Sequence, residues 1–387
     1  MSPADRRGAF QDHLESLPIR DLVARSLAAD DGEVTAALAR AEEGRGDLTD
    51  LAALLSPAAG ARLEDLAVAA NRVTERRFGR VVRLFAPLYL SNACLSTCTY
   101  CGFSKHLDVR RRTLTPTEVE REARLLTAQG FRHLLLVSAE HAKEVPPSYL
   151  EAVVARLRPT VPSIAIETQV WDVDVYRRLG AAGAEAVVVY QETYDPETYA
   201  EVHVGGRKRR YDVRLAAPEV VAAAGLRRVG LGVLFGLHPD WRQEAIALAA
   251  HAAWLQRVHW RTEVTVSFPR LRPSASGFAP RTDLGDRDLA QLVAATRLLL
   301  HDAGIVVSTR EDAALRDGLV ALGATHMSAG SSTEPGGYSQ AGTSEEQFSI
   351  SDERTPAEVA GALRARGYDP VWKDWSPALS ADAEARL

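Results

Sequence analysis

This 387-residue sequence has few cysteines, few aromatic side chains and no large excess of charge of either sign. Aromatic residues make up 6% of the chain, and 46 Lys and Arg against 51 Asp and Glu leave a net charge of −5. Since nucleic acids and anionic membranes attract strongly basic proteins, this balance gives no reason to expect either partner. No run of about 18 uninterrupted apolar residues occurs, so we expect no transmembrane helix.

The composition is otherwise that of a folded globular protein. Hydrophobic residues make up 46% and charged residues 25%, which excludes a disordered chain, a collagen-like repeat and a disulfide scaffold. No apolar segment follows residues 1–7, so we expect no secretory signal. An odd number of closely spaced thiols cannot form a disulfide framework, which favours a reducing compartment. The sequence therefore predicts a cytoplasmic protein.

Short apolar runs alternate with helix-length polar segments after residue 80, and we predict three regions. Residues 1–80 form a helical N-terminal extension, 81–332 a parallel (β/α)8 TIM-type barrel, and 333–387 a C-terminal loop and helix packed on it. The eight strands are predicted near residues 87–91, 133–138, 163–168, 185–190, 228–235, 264–268, 304–308 and 325–329. An open, doubly wound sheet remains an alternative, because the pattern does not show closure.

Two helices have clear boundary signals. Thr115 and Pro116 begin a helix that Gly130 follows, and the same Thr-Pro start predicts a C-terminal helix over 356–366. Residues 330–350, rich in Gly, Ser and Glu, form a predicted loop after the eighth strand, where barrel enzymes place their active sites.

All three cysteines, Cys94, Cys98 and Cys101, lie in one eight-residue window after the first predicted strand. Thiolates favour iron–sulfur clusters or zinc, and three ligands leave a four-site centre one open position. Three interpretations stay open here: buried structural cysteines, a zinc site completed by His106, and a [4Fe–4S] cluster with one open iron.

The C-x3-C-x2-C spacing, with Tyr100 before the last cysteine, is the signature of the radical S-adenosylmethionine superfamily. The flanking residues 88–94 and 100–104 resemble the 2-iminoacetate synthase family, the tyrosine lyases of thiamine biosynthesis. The resemblance extends from about residue 50 to 376 and includes residues 134–141, 190–194, 267–273, 308–311, 335–338 and 371–375.

The resemblance implies a reaction and its cofactors. Three cysteines hold a [4Fe–4S] cluster whose open iron binds S-adenosylmethionine, and reductive cleavage of this cofactor yields a 5′-deoxyadenosyl radical. The radical removes a hydrogen from the amino group of L-tyrosine, and the Cα–Cβ bond then breaks to give 2-iminoacetate (dehydroglycine) and, after uptake of an electron and a proton, p-cresol. The implied partners are a thiazole synthase and a flavodoxin or ferredoxin as electron donor.

The resemblance also assigns residues to the cofactor. Glu140, Glu167 and Arg214 match positions that hold S-adenosylmethionine in relatives. An arginine offers two parallel hydrogen bonds to a carboxylate, which suits the methionine end of the cofactor. Ala139 stands where the family usually has a glycine, and its effect on the neighbouring contact is an open question.

For the amino-acid substrate, Arg310 is the expected partner of the carboxylate, because an unpaired charge is costly to bury. By position in related aromatic amino-acid lyases, Ser328 is expected to bind the same carboxylate and Tyr89 the substrate amine. Residues 191–193 are expected to line the cavity.

Other functions stay open. The tyrosine lyase of hydrogenase maturation carries additional C-terminal cysteines, and none follows Cys101 here. A tryptophan lyase would share the barrel, the cluster and the carboxylate partner. A zinc-stabilised, non-catalytic binding protein represents a different class. We assign neither His141 nor His203 to a metal, and we expect Trp372 and Trp375 to anchor the C-terminus on the barrel.

Overall fold

The computed structural model describes residues 8–373, so Trp375 and the end of the predicted C-terminal region lie outside the described residues. Six helices precede the first strand: α1 Ala9–Ser16, α2 Ile19–Ala28, α3 Asp31–Glu42, α4 Leu48–Leu54, α5 Pro57–Ala61 and α6 Leu63–Phe78. Asp30 and Asp47 form capping boxes at the starts of α3 and α4, which satisfies backbone N–H groups that a helix start leaves unpaired.

Eight parallel strands close into a barrel, which confirms the predicted fold. The strands are β1 Val81–Ser91, β2 Thr97–Cys98, β3 His133–Ser138, β4 Ser163–Glu167, β5 Ala186–Glu192, β6 His203–Gly205, β7 Arg228–Val233, β8 Glu263–Ser267, β9 Gly304–Val307, β10 His326–Ser328 and β11 Asp369–Val371. All but β2, β6 and β11 belong to the barrel. The open-sheet alternative is wrong, because β10 pairs with β1 and so joins the two edges.

Helices surround the barrel. They are α7 Pro116–Ala128, α8 Pro147–Leu157, α9 Val173–Ala182, α10 Pro196–Val202, α11 Tyr211–Ala223, α12 Trp241–Val258, α13 Asp286–Leu299, α14 Ala313–Ala321 and α15 Pro356–Ala365. Capping boxes at Thr115 and Thr355 confirm the predicted starts of α7 and α15. Across residues 8–373, no helix combines the length and apolar character needed to cross a membrane.

Two features of the sheets were not predicted. Strand β1 begins at Val81 rather than near 87, because its first half pairs with both β10 and β11. Strands β2 and β6 form a small antiparallel pair in which Thr97 faces Gly205. Strands this short have no periodic pattern to reveal them, yet this pair ties the cysteine window to the segment after α10.

The barrel interior alternates large and minimal side chains. A Cβ on Gly232 would lie 2.5 Å from the Tyr190 ring, and one on Gly304 would lie 2.8 Å from the His326 ring. These glycines therefore let large rings lie against the neighbouring strand.

Buried, paired charges occupy the N-terminal end of the barrel. The Glu185 carboxylate accepts hydrogen bonds from Arg228 (3.4 Å) and Arg227 (3.3 Å). The Arg228 guanidinium also lies 3.1 Å from Nε2 of His133. The buried charges at this end of the barrel are thus paired with other side chains of the protein.

Trp372 contacts the barrel at the last described residues. Its indole packs edge-on against Phe131, with ring centroids 5.2 Å apart, and its carbonyl accepts a hydrogen bond from the Arg132 N–H at 3.1 Å. These contacts are those expected of an anchor. Trp375, the second expected anchor, lies outside the described residues.

Candidate active site

The cysteine loop, residues 94–101, leaves the C-terminal end of β1 and is held in place mainly through Ser96. The Ser96 carbonyl accepts from the Lys105 N–H at 3.0 Å, and its hydroxyl donates to Glu140 at 2.9 Å. The same hydroxyl accepts from the Lys208 N–H at 3.3 Å. One buried serine therefore joins the loop to three other segments of the chain.

The three thiols have different environments. Cys98 is buried, whereas Cys94 and Cys101 are partly exposed. Backbone N–H groups of Ser96 and Phe103 each lie 3.4 Å from a sulfur, those of Cys94 and Cys101 respectively. Such donors stabilise thiolate sulfur and tune iron–sulfur clusters.

Burial raises the pKa of the Cys94 and Cys98 thiols, and at Cys98 the Lys208 ammonium acts in the opposite direction. The thiolate forms therefore need a nearby cation, which iron would supply. Within residues 8–373, no three His, Cys, Asp or Glu side chains are already arranged around a metal position. The donor set, three thiols on one short loop with N–H groups at two sulfurs, fits an iron–sulfur cluster.

His106, the predicted fourth ligand of a zinc site, is engaged elsewhere. Its Nδ1 lies 2.9 Å from the Ser104 hydroxyl, and that hydroxyl also accepts from the Cys98 N–H at 3.0 Å. His106 therefore supports the loop through Ser104.

A cavity opens at the C-terminal end of the barrel beside the cysteine loop. Its wall brings together five of the predicted site residues: Tyr89, Cys101, Glu167, Arg310 and Ser328. They come from five different segments, which only closure of the barrel brings to one place.

Arg310 follows β9 and faces this cavity. Its guanidinium carbon lies 3.3 Å from the centre of the Phe348 ring, a cation–π contact. Burial lowers the pKa of Arg310, with only partial compensation from surrounding acidic groups. No carboxylate of residues 8–373 lies at ion-pair distance from it. A buried cation of this kind suits a ligand carboxylate.

Tyr89 and Ser328 hold hydrogen bonds of their own on the same wall. The Tyr89 hydroxyl donates to Gln347 at 2.7 Å, and burial raises its pKa well above the ordinary value. The Ser328 hydroxyl accepts from the Thr309 N–H at 3.1 Å, which leaves its own proton to donate. Both residues can therefore still contact a ligand.

Glu167 ends β4 and lines the cavity without a hydrogen-bond donor from the described residues. Burial raises its pKa to about 7, and the nearby Glu192 carboxylate contributes in the same direction. A carboxyl group of this kind can hold or release a proton near neutral pH.

Glu140 and Arg214 lie behind the wall in a chain of paired charges. The Arg214 guanidinium donates to the Tyr190 carbonyl at 2.5 Å and lies 3.5 Å from Glu140 and 3.7 Å from Glu192. Glu192 in turn accepts from the Lys208 ammonium at 2.6 Å. Burial alone would raise the pKa of Glu192, but Lys208 and Arg214 hold it below its usual range. This chain of charges links β3, β5 and α11 behind the cavity.

Lys208 and Glu192 were not recognised as a pair from the sequence. Lys208 lies in the basic run 207–210, a pattern typical of an exposed loop, yet its ammonium is mostly buried beside Glu192. Glu192 has φ 73° at an irregularity in the β5–β7 pairing, a strained backbone that turns its side chain toward the cavity. The unusual φ could not be read from the sequence.

The expectation for residues 191–193 is only partly right. Glu192 lines the cavity, whereas the Thr193 hydroxyl donates to Glu244 on α12 at 2.6 Å. Gln191 is buried but is not part of the wall. Successive side chains of a strand face opposite sides, so the three could not all face inward.

The loop 330–350 closes over the cysteine loop, at the place its position after β10 predicted. A Cβ on Gly102 would lie 2.6 Å from the Gln347 carbonyl oxygen, so glycine is required where the two loops meet. Glu334 accepts from the N–H groups of Gly342 (2.6 Å) and Ser344 (3.1 Å) and fixes the shape of this loop. Gln347 and Phe348, which contact Tyr89 and Arg310, were missed because loop residues follow no periodic pattern.

Ala139, which stands where the family usually has a glycine, follows the end of β3. Its N–H donates to the Ser91 carbonyl at 2.9 Å. Its methyl group packs against the cluster of Tyr89, Phe103 and Val137.

The two histidines assigned to no metal have protein partners. Nε2 of His203 lies 2.9 Å from the Tyr100 hydroxyl, and burial lowers the pKa of His203 to about 3. Nδ1 of His141 accepts from the Glu144 N–H at 3.2 Å.

Comparison with known families matches two models to this chain. Residues 88–249 match the radical SAM superfamily, and residues 267–369 match the biotin and thiamin synthesis associated domain. The first includes the cysteine loop, Glu140, Glu167 and Arg214. The second includes Arg310, Ser328 and the loop that closes over the cavity.

Similar proteins extend over almost the whole chain. The 2-iminoacetate synthase of Escherichia coli (strain K12) is 40% identical over 370 residues, which are 96% of this chain and 97% of that protein. The 2-iminoacetate synthase of Salmonella typhimurium (strain LT2) is 39% identical over 97% of this chain and 99% of its own. The crystal structure of HydG, a maturase of the [FeFe]-hydrogenase, superimposes with a TM-score of 0.88 at 30% identity over 94% of this chain and 81% of that chain.

Proposed function

Since this chain belongs to the 2-iminoacetate synthase family of radical SAM enzymes, we propose that it cleaves the Cα–Cβ bond of L-tyrosine to 2-iminoacetate and p-cresol. The product would supply the thiazole moiety of thiamine. The observation that supports this most directly is Arg310, a buried cation without an ion-pair partner in residues 8–373, on the same cavity wall as Cys101.

The residues that would hold the cofactors follow from the site. Cys94, Cys98 and Cys101 would bind a [4Fe–4S] cluster through three irons and leave the fourth for S-adenosylmethionine. Glu140, Glu167 and Arg214 would bind S-adenosylmethionine, and the Arg214 guanidinium suits the carboxylate at its methionine end. When bound, this pair of cofactors supplies a 5′-deoxyadenosyl radical, which takes a hydrogen from the amino group of the substrate.

The chain's own residues bind and orient the amino acid. Arg310 would pair with the substrate carboxylate and Ser328 would donate to it, while Tyr89 faces the same space and suits the substrate amine. Holding the amine and the carboxylate together fixes which hydrogen meets the radical. The loop 330–350 would shield the site from water, which protects the radical and the fragile imine product.

A second pocket continues into the barrel beneath the first. Phe85, Leu135 and Tyr190 line both pockets. These aromatic and aliphatic walls would suit the aromatic ring of an amino acid held at Arg310, which supports an aromatic substrate. The inner wall also suits an indole, so tryptophan remains the alternative substrate.

Two partners and a location belong to the proposal. The hydrolytically fragile imine favours direct transfer to a thiazole synthase, and the cluster requires a flavodoxin or ferredoxin as electron donor. An oxygen-sensitive cluster and three free thiols favour the reducing cytoplasm.

Product analysis after anaerobic reconstitution tests the proposal. The wild type with iron, sulfide, S-adenosylmethionine, reductant and L-tyrosine should form p-cresol, and L-tryptophan should give no cleavage product. In Arg310→Met we expect the cluster absorbance near 400 nm to remain, while kcat/KM for tyrosine falls about a thousandfold, since a buried carboxylate loses its charge partner. Cys98→Ala should lose both the cluster and cofactor cleavage.

Each alternative predicts a different result. A colourless protein with about one zinc per chain would support the non-catalytic binding protein and contradict the lyase. Cleavage of tryptophan but not tyrosine would reverse the substrate assignment. An Arg310→Met enzyme with wild-type kcat/KM would exclude Arg310 as the carboxylate partner.

A further inference from the structure

Two large apolar side chains are exposed beside the cysteine loop. Leu95, next to Cys94, is 45% exposed, and Val204, in the middle of β6, is 55% exposed. Three basic residues with exposed side chains, Lys105, Arg207 and Arg209, belong to the same two segments. We call these five residues the cysteine-loop patch.

The backbone around Ser96 brings these segments together. The Ser96 carbonyl accepts from the Lys105 N–H at 3.0 Å, and its hydroxyl accepts from the Lys208 N–H at 3.3 Å. A Cβ on Gly206 would lie 2.4 Å from Cα of Ser96, so the two chains are in direct contact there. The patch residues therefore lie on segments that meet at Ser96, within the cysteine loop.

The basic residues of the patch make no ion pair within the described part of the chain, residues 8–373. Neighbouring carboxylates are already engaged: Glu201 with Arg281 at 2.6 Å and Asp212 with Arg210 at 3.2 Å. The chain as a whole has a net charge of −5, so this local excess of positive charge is opposite in sign to the average. An acidic surface would complement it.

We propose that the cysteine-loop patch is the docking surface for an acidic, single-electron-transfer protein; this rests on the proposed function, which requires an electron at the cysteine loop. Weak redox encounters use small interfaces, and an apolar centre with a charged rim is a common interface plan. Leu95 and Val204 form the centre, and Lys105, Arg207 and Arg209 form the rim. For each cofactor cleaved, the partner is oxidised by one electron and the C5′–S bond of the sulfonium is reductively broken.

Two reductants distinguish docking from catalysis. The holoenzyme is assayed for 5′-deoxyadenosine formation with dithionite, which needs no docking surface, and with a reduced flavodoxin at subsaturating concentration and low salt. In the double variant Arg207→Glu/Arg209→Glu, we expect the flavodoxin-dependent rate to fall about tenfold or more, since rim charges control association. The dithionite-dependent rate should stay within about twofold, because a small reductant reaches the cluster without a docking surface.

A matched control lies at the opposite end of the barrel. Two exposed arginines, Arg257 and Arg261, lie just before β8. They are next to the exposed Val258 and Trp260. Arg257→Glu/Arg261→Glu makes the same change in net charge and should leave both rates unchanged. A further variant, Leu95→Ser/Val204→Ser, should lower the flavodoxin-dependent rate without altering its salt dependence, because it removes only the apolar contact.

The assay results distinguish a failure of the docking proposal from a failure of the proposed function. A wild-type enzyme that forms no 5′-deoxyadenosine with dithionite would contradict the proposed function itself. Equal flavodoxin-dependent rates in the wild type and the patch variants would overturn the docking proposal alone. Patch variants slowed equally with both reductants, or impaired only in transfer of product to a thiazole synthase, would also overturn it, since the patch would then serve the cluster or another partner.

Discussion

Each end of the barrel contains buried charged side chains, but their partners differ. At the N-terminal end, Arg228 and Glu185 lie 3.4 Å apart and are completed by other protein side chains. At the C-terminal end, Arg310 and Glu167 face the cavity, and residues 8–373 provide Arg310 with no ion pair and Glu167 with no hydrogen-bond donor. A buried charge that is paired within the protein belongs to the folded structure, whereas a buried charge without a protein partner is available to a ligand.

Not every charged side chain near the cavity is free to bind a ligand. Glu192 and Lys208 pair at 2.6 Å, and Arg214 joins them to Glu140. These four groups pair with one another, whereas Arg310 has no ion pair and Glu167 no hydrogen-bond donor among residues 8–373. The difference between the two groups lies in their partners, not in residue type.

The largest expected effect on stability tests the N-terminal end. Arg228→Met leaves the buried Glu185 carboxylate without its Arg228 partner, and we expect the free energy of unfolding to fall by about 3–5 kcal/mol. Urea denaturation of the cluster-free protein measures this loss, with the exposed Arg177→Met as the control. If the free energy of unfolding falls no more than in that control, the charges at the N-terminal end do not stabilise the fold. The difference between the two ends of the barrel would then be contradicted.

A second test uses pH at the C-terminal end. Because burial raises the pKa of Glu167 from 4.5 to about 7, the folded chain keeps a proton that the unfolded chain has lost in this window. The free energy of unfolding should therefore fall as pH rises from 4.5 to about 7, by about 3 kcal/mol in total.

Glu167→Gln should abolish this contribution, so the stability difference between wild type and variant should change with pH over the same window. Urea titrations at several pH values measure it. A pH-independent difference would mean that Glu167 ionises normally in the folded protein.

The smallest expected effect is a gain in stability at the C-terminal end, opposite in sign to the loss expected at the N-terminal end. Arg310→Met removes a buried cation that has no ion pair in residues 8–373, and we expect the cluster-free protein to be more stable by about 1 kcal/mol. In the same variant kcat/KM for tyrosine should fall about a thousandfold. A gain in stability together with a loss of activity is the trade-off expected of a binding residue. Thermal or urea unfolding provides the measurement; a marked loss of stability would place Arg310 among the structural charges.

Much of the fold could be predicted from the sequence because local patterns report it directly. Apolar runs showed all eight barrel strands, and the Thr-Pro starts located α7 and α15 within a residue or two. Strands β2 and β6 and the early start of β1 escaped prediction, since two- and three-residue pairings and edge extensions depend on partners far along the chain.

The candidate site divides in the same way. Cysteine spacing and family resemblance are enough to indicate Cys94, Cys98, Cys101 and Arg310 as site residues. The roles of the site residues remain predictions, but the structure shows that Tyr89, Glu167, Arg310 and Ser328 share one cavity wall. The contacts of Gln347 with Tyr89 and of Phe348 with Arg310 could not be predicted from the sequence, because an irregular loop has no periodic pattern and its partners lie far along the chain.

By itself, then, the sequence determined the strand–helix alternation, the single cysteine window and the family resemblance, because periodicity and spacing are local properties of the chain. Only the tertiary structure decided that β10 closes on β1, that Lys208 is buried against Glu192, and that Arg310 keeps a cavity-facing charge without a protein ion pair in residues 8–373. Pairing and burial depend on which distant side chains meet, and that is settled only when the barrel closes.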